Sequence, residues 1–261
     1  MSESNQEWTT GTVQFSIGGE PIEMQLTVPT KPVKLARMLP IFRQMTDSFL
    51  QIGIGKIESE GKTISCKAGC GACCRQLVPV SEAETLSLSE VVEKMPEPRR
   101  AVVKERFAAA SRRFTENGWA ARVDQSANLP DDELQKLADD YFKEGVACPF
   151  LEDEACSIHP DRPLACREYL VTSPAENCSR PTPDSIRPVE PLLKFSRTLR
   201  HVGMSENMAK LNFVPLVRAL EWAEKHPENA PEKTGQEWME EFFGLLSNGK
   251  IPQSQAESAN L

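Results

Sequence analysis

Polar and apolar residues alternate along residues 12–28, TVQFSIGGEPIEMQLTV. Val13, Phe15 and Ile17 share one face of a first run, and Ile22, Met24, Leu26 and Val28 share one face of a second. GGEP between them is turn material, so the stretch predicts a β-hairpin. A lone hairpin is marginal in water, and its apolar face must pack on another part of the chain.

From residue 33 the period lengthens. Leu35, Met38, Leu39, Phe42, Met45, Phe49 and Ile52 predict a helix within 33–57, with Pro40 either kinking it or marking its true start. SEAETLSLSEVVEKM opens with the capping-box pair Ser81 and Glu84 and predicts a helix reaching Met95. Val103, Phe107, Ala110 and Phe114 stripe a second helix that Asn117-Gly118 ends. Leu134, Leu137, Ala138, Tyr141 and Phe142 stripe a third, from Pro130 to Glu144, stopped by Gly145. Helical patterns return over 191–203, 215–226 and 235–247. Residues 146–191 differ: they hold four cysteines, seven prolines before Pro191 and no sustained period. Such a stretch reads as irregular loop that something other than helix or sheet must order.

The expected fold is mainly α, with a small N-terminal β-hairpin and an irregular metal-stapled cysteine-rich loop region. The chain divides into an N-terminal hairpin and helix (1–59), a cysteine-cluster metal-binding domain (60–180), C-terminal helices packed on it (181–252) and a disordered tail (253–261). No internal repeat and no βαβ alternation is visible.

Composition narrows the function classes. The chain has 261 residues, 39% apolar and 26% charged, enough to bury a core. Its net charge of −8 argues against a general nucleic-acid or anionic-membrane binder. No run approaches the ~18 apolar residues of a membrane span. The opening MSESNQEW lacks the layout of a secretory signal, so a soluble cytoplasmic protein is expected, with its thiols reduced.

Half of the eight cysteines fall within nine positions, in CKAGCGACCR at 66–75. In a reducing compartment eight cysteines point to metal ligands more than to disulfides. The two residues between Cys70 and Cys73 allow one tight turn to aim both sulfurs at one metal, and Gly71 lets the backbone bend there. Cys66 lies one longer turn upstream, where Gly69 helps fold it back. Cys73 and Cys74 are neighbours whose side chains should diverge, so one of them serves a second site or packs as a buried thiol. Cys148, Cys156, Cys166 and Cys178 are spread through the proline-rich loop, which metal–thiolate bonds would staple. Eight cysteines fill two four-thiolate sites, or one site with spares. Cys66, Cys70 and Cys73 form the main chelating turn, with Cys166 the first choice for a fourth ligand. Both zinc and iron–sulfur clusters accept four thiolates. Arg75 and Arg167 each follow a cysteine and either offset thiolate charge or form ordinary ion pairs.

The pattern CxxxCxxCC, then C-P-x-L, then C-x-I-H-x-x-R-P-x-x-C-R-x-Y resembles the YkgJ-like cysteine-cluster proteins. The resemblance covers residues 60–180 and agrees in residue type, spacing and order across two separate motifs. It implies a zinc- or iron-chelating domain, often labelled an iron–sulfur oxidoreductase without a defined reaction, and that all eight cysteines are the family's. A lysine N-methylase acting on flagellin shares the first motif. The family allows Tyr where this chain has His159, which favours a packing or hydrogen-bonding role there over ligation.

Three rival readings follow. C-x3-C-x2-C is the spacing of radical S-adenosylmethionine enzymes, but Ala72 stands where they carry an aromatic and no βα repeat follows. A methyltransfer role has no cofactor motif behind it. A structural zinc module for protein interaction is the main alternative to the preferred reading, an iron–sulfur protein with a redox or electron-transfer role. Either implies a protein or redox partner that the sequence does not name, with no nucleic acid and no membrane. The arginines at 99, 100, 106, 112 and 113 read as a solvated helix face.

Overall fold

The computed structural model describes residues 7–17, 20–182, 184–206, 213–227 and 231–247. The fold is mainly α with a small N-terminal antiparallel strand pair, as the periodicity predicts. Strand β1 (Trp8–Ile17) pairs with β2 (Glu20–Pro29). The register sets Val13 opposite Met24 and Phe15 opposite Ile22, which brings the apolar positions of both strands to one face. Val13, Leu26 and Val28 are buried there. Gly18 and Gly19 of the expected turn, and the expected tail 253–261, lie outside the described residues.

After a single 3-10 turn at Leu35–Met38, helix α1 runs Leu39–Ser59. Pro40 stands in its first turn, where a missing N–H costs nothing, so it marks the start rather than a kink. Strand β3 (Pro79–Val80) precedes α2 (Glu82–Glu93), α3 (Arg99–Glu116), α4 (Trp119–Asp124) and α5 (Asp131–Lys143). The capping box of α2 forms as the sequence predicts: the Ser81 hydroxyl accepts from the Glu84 N–H, and Glu84 accepts from the Ser81 N–H at 2.8 Å.

The cysteine-rich loop carries more local order than its lack of period implies. Strands β4 (Leu151–Glu152) and β5 (Ala155–Cys156) make a tight hairpin, α6 (Leu164–Glu168) follows, and β6 (Leu170–Val171) pairs with β7 (Pro188–Val189). Two-residue strands are too short to leave an alternating pattern, which is why the sequence reads as loop. Of the helix expected over 191–203, α7 occupies Phe195–Leu199. The 215–226 pattern becomes β8 (Val214–Pro215), a 3-10 turn at Leu216–Arg218 and α8 (Ala219–Lys225), because β8 pairs with β3 before the helix starts. Helix α9 closes the described chain at Gly235–Leu246.

The buried side chains form two clusters. One joins the hairpin and α1 to α7 and α9, with the Phe42 and Phe242 rings 4.7 Å apart and Phe195 edge-on to both Phe49 and Phe242. Helix α9 approaches the hairpin so closely that a Cβ on Gly235 would lie 2.5 Å from the Val28 Cβ. The other cluster joins α2, α3, α4 and α5 to β8 and α8, and Phe150 and Ile158 of the cysteine-rich loop enter it. Fully burying side chains of this size contributes ~1.5–3 kcal/mol each. The loop is thereby anchored by apolar contacts as well as by whatever the cysteines hold. Among the described residues no helix is long and apolar enough to cross a membrane.

Candidate metal centre

The first cysteine group is shaped by short turns. The Cys70 N–H donates to the Lys67 carbonyl at 3.1 Å and the Cys74 N–H to the Gly71 carbonyl at 2.9 Å. Each turn returns the chain on itself and keeps four sulfurs within one short stretch. Gly71 is required by a close approach: a Cβ there would sit 2.4 Å from the Glu154 carbonyl oxygen and 2.5 Å from Leu151 Cδ1. The CGAC turn therefore lies directly on the β4–β5 hairpin. Asp153 and Glu154 turn that hairpin with φ of 49° and 57°.

Three further backbone contacts bring the second group in. The Cys148 N–H donates to the Cys74 carbonyl at 2.7 Å. The Ser65 N–H donates to the Val171 carbonyl at 2.9 Å, and the Val171 N–H donates to Cys66 Sγ at 3.4 Å. Cys156 lies opposite Leu151 in the hairpin, next to the same turn. Phe150, 1% exposed, packs edge-on against Phe107 and fixes the Cys148 end of the loop.

Helix α6, which carries Cys166, is held from two sides. Glu84, already the capping-box acid of α2, also accepts the Leu164 N–H at 2.8 Å. One buried carboxylate thus caps two helices. From the other side, α1 contributes two reciprocal ion pairs one turn apart: Arg43 to Asp161 at 2.9 Å, and Asp47 to Arg167 at 2.7 Å. Arg167 is buried and also donates to the carbonyls of Pro160 and Arg162. Arg75 forms a two-bond pair with Glu154, at 2.7 and 3.1 Å. Both arginines that directly follow cysteines therefore spend their charge on carboxylates.

None of the eight cysteines is in a disulfide; seven are half-buried and Cys178 is buried. Burial pushes the thiols of Cys66, Cys148, Cys156, Cys166 and Cys178 above the ordinary range, Cys148 to about 12 and Cys178 to about 11. The neighbouring thiols of Cys73 and Cys74 act on each other, lowering Cys73 and raising Cys74.

The thiols near enough to act on one another's charge fall into two sets. Cys178 feels Cys66, Cys73 and Cys70. Cys166 feels Cys148, Cys73 and Cys156, and Cys74 feels Cys148, Cys73 and Cys166. Cys73 stands between the sets. Among the described residues no three cysteine, histidine or carboxylate side chains are grouped closely enough to hold a metal ion as placed. His159 is half-buried, and the charges acting on it are those of Arg162, Arg167 and Asp47.

Two residues at the centre were not singled out from the sequence. Arg162 acts on the charge of Cys66, Cys73, Cys156 and Cys166, and its Nε is buried without a hydrogen-bond partner. Burial pushes the Tyr169 hydroxyl up, Gln76 draws it down, and the charges of Cys178, Cys73 and Cys66 raise it. Both lie inside the second motif, so the signal was present; only their position relative to the sulfurs was not. Gln76 and Tyr169 also line a cavity of about 780 Å³ between α5, α6 and the 181–196 segment. An all-thiol donor set and an N–H directed at one sulfur fit a thiolate-bound metal.

No curated protein and no solved structure matches the chain. The name of the matching family writes two residues between its first two cysteines; this chain has three, Lys67, Ala68 and Gly69. Residues 65–183, which hold all eight cysteines, match the CxxCxxCC family, described as a "putative zinc- or iron-chelating domain".

Proposed function

We propose that residues 65–183 bind metal through two four-thiol sets, Cys66, Cys70, Cys73 and Cys178 in one and Cys74, Cys148, Cys156 and Cys166 in the other, and that the metal is iron in iron–sulfur clusters. The observation that carries the reading is the gathering of eight free cysteines from three separate stretches of chain. Backbone hydrogen bonds hold those stretches together. Metal binding would draw protons off the thiols that burial keeps protonated.

Iron–sulfur is the preferred reading, and an all-sulfur donor set suits it. A redox or electron-transfer role accompanies it. Seven of the eight cysteines are half-buried, which leaves a cluster within reach of a partner protein. Eight free thiols suit a reducing compartment such as the cytoplasm. Structural zinc is the second reading, favoured by one observation: four protein sulfurs per set would fill every position of a closed tetrahedral site.

Anaerobic purification followed by an absorption spectrum and iron, sulfide and zinc assays tests the proposal. A brown protein absorbing near ~400 nm with matched iron and acid-labile sulfide supports it. Stoichiometric zinc without colour moves the conclusion to a structural module, and a metal-free protein of full stability removes the metal reading.

A further inference from the structure

None of the eight cysteines lines the cavity of about 780 Å³ between α5, α6 and the 181–196 segment. Its volume is that of a small-molecule site, ~300–1,000 Å³. Phe142 of α5, Leu170 of β6 and Val189 of β7 give it apolar walls. One end adjoins the cysteine region: Ala165, directly before Cys166, lines it, as does Gln76, whose N–H donates to the Cys73 carbonyl at 3.1 Å.

The charge around this space is unbalanced. Both lysines that line it are already paired, Lys143 with Asp140 at 2.9 Å and Lys194 with Glu190 at 3.1 Å. Three further carboxylates line it, those of Asp139, Glu168 and Asp184, and none of them makes an ion pair among the described residues. Asp139 accepts from the Gln135 amide at 2.8 Å, and Glu168 accepts the Ser196 N–H at 2.8 Å. These are neutral donors, and they leave the negative charge in place. Glu168 is 8% exposed, where a carboxylate without a counter-ion is costly. An anionic occupant would add to that charge and a neutral one would leave it. A cation matches it, and the apolar walls suit a hydrocarbon body.

We propose that this cavity binds a small organic cation, an ammonium group carried on an apolar body. The ammonium is held by the unpaired carboxylates and the body lies against Phe142, Leu170 and Val189. The site goes beyond the thiol sets and stands whichever metal they hold.

Equilibrium dialysis of the full chain at low salt and neutral pH tests it, with phenethylamine, phenethyl alcohol and hydrocinnamate as probes of matched body and different charge. Metal per chain is assayed on the same samples. Phenethylamine should bind saturably and at least about tenfold more tightly than phenethyl alcohol, and hydrocinnamate should not bind. A138W, which fills the cavity from α5, should abolish binding. D139N/D184N changes two exposed residues, so the fold is kept; it should weaken phenethylamine about threefold or more and leave phenethyl alcohol unchanged. Absence of saturable phenethylamine binding would overturn the proposal. So would equal or tighter binding of either other probe, or undiminished phenethylamine binding in both variants. A metal-free chain that binds phenethylamine as described would remove the metal reading and support this one; a metal-holding chain that does not bind it would do the reverse.

Discussion

The backbone N–H of Cys148 donates to the carbonyl of Cys74 at 2.7 Å, although 73 residues of chain separate them (148 − 74 − 1). That bond ties the start of the second cysteine group to the end of the first. Around it, the Gly71 approach to Glu154 and the Ser65–Val171 contact place the remaining sulfurs. The centre is therefore a property of the backbone arrangement, and perturbing the backbone should be felt as strongly as removing a sulfur.

Gly71 gives the sharpest case. In G71A the new Cβ meets a backbone oxygen at 2.4 Å, which no side-chain rotation relieves. Overpacking of this kind costs ~1–3 kcal/mol. G71A should lower the urea midpoint and the bound metal together. Wild-type stability with full metal content would show that the CGAC turn does not need this contact.

Asp47 tests how α1 holds the loop. Its partner Arg167 is buried, with 8% of its side chain exposed, while Asp47 is about half exposed. D47A leaves the guanidinium with only the Pro160 and Arg162 carbonyls. The pair is part-solvated, so the expected loss is ~1–3 kcal/mol, below that of a fully buried pair. Denaturant unfolding of D47A and of D47N checks it. Equal stability of all three chains would make the pair incidental.

A pH effect follows from Glu221 on α8. Its bonds to Arg218, Lys225 and Ser111 hold its carboxyl down at about 2, against an ordinary 4.5. A depressed folded value means the stabilisation is present above 4.5 and is lost as pH falls toward 2. The side chain is 29% exposed, and solvent screening keeps the contribution to ~1 kcal/mol. E221Q should lose that amount at neutral pH and show a smaller decline in acid. Urea midpoints measured across this range decide it; parallel curves for the two chains would remove Glu221 as a source.

Much of this arrangement was legible in the sequence. The stripe from Leu35 to Ile52 located α1, the Ser81–Glu84 box located the start of α2, and the cysteines were candidates from the tight first group, the proline-rich loop and the family resemblance. What was not legible depends on contacts between distant segments. The sequence could not say that Val28 would lie against Gly235, so the joining of the two chain ends in one core was invisible. Arg75 and Arg167 drew attention because they follow cysteines, yet tertiary packing supplied both with carboxylates. The β4–β5 hairpin escaped notice because Asp153 and Glu154 carry its turn without a glycine.

The proposed division puts Cys70 and Cys156 in different sets, and this separates their expected effects. C70S should lower bound metal and destabilise the domain while leaving the second set able to load. Unchanged metal content and melting would exclude Cys70 from the centre.

The measurement that tests the central claim most directly is metal per chain in the wild type, C70S and C156S, purified anaerobically side by side. Two four-thiol sets predict that each variant keeps about half of the wild-type metal and that the double variant keeps almost none. If either single substitution removes all the metal, or if one of them removes none, the division of the eight cysteines into two sets is contradicted.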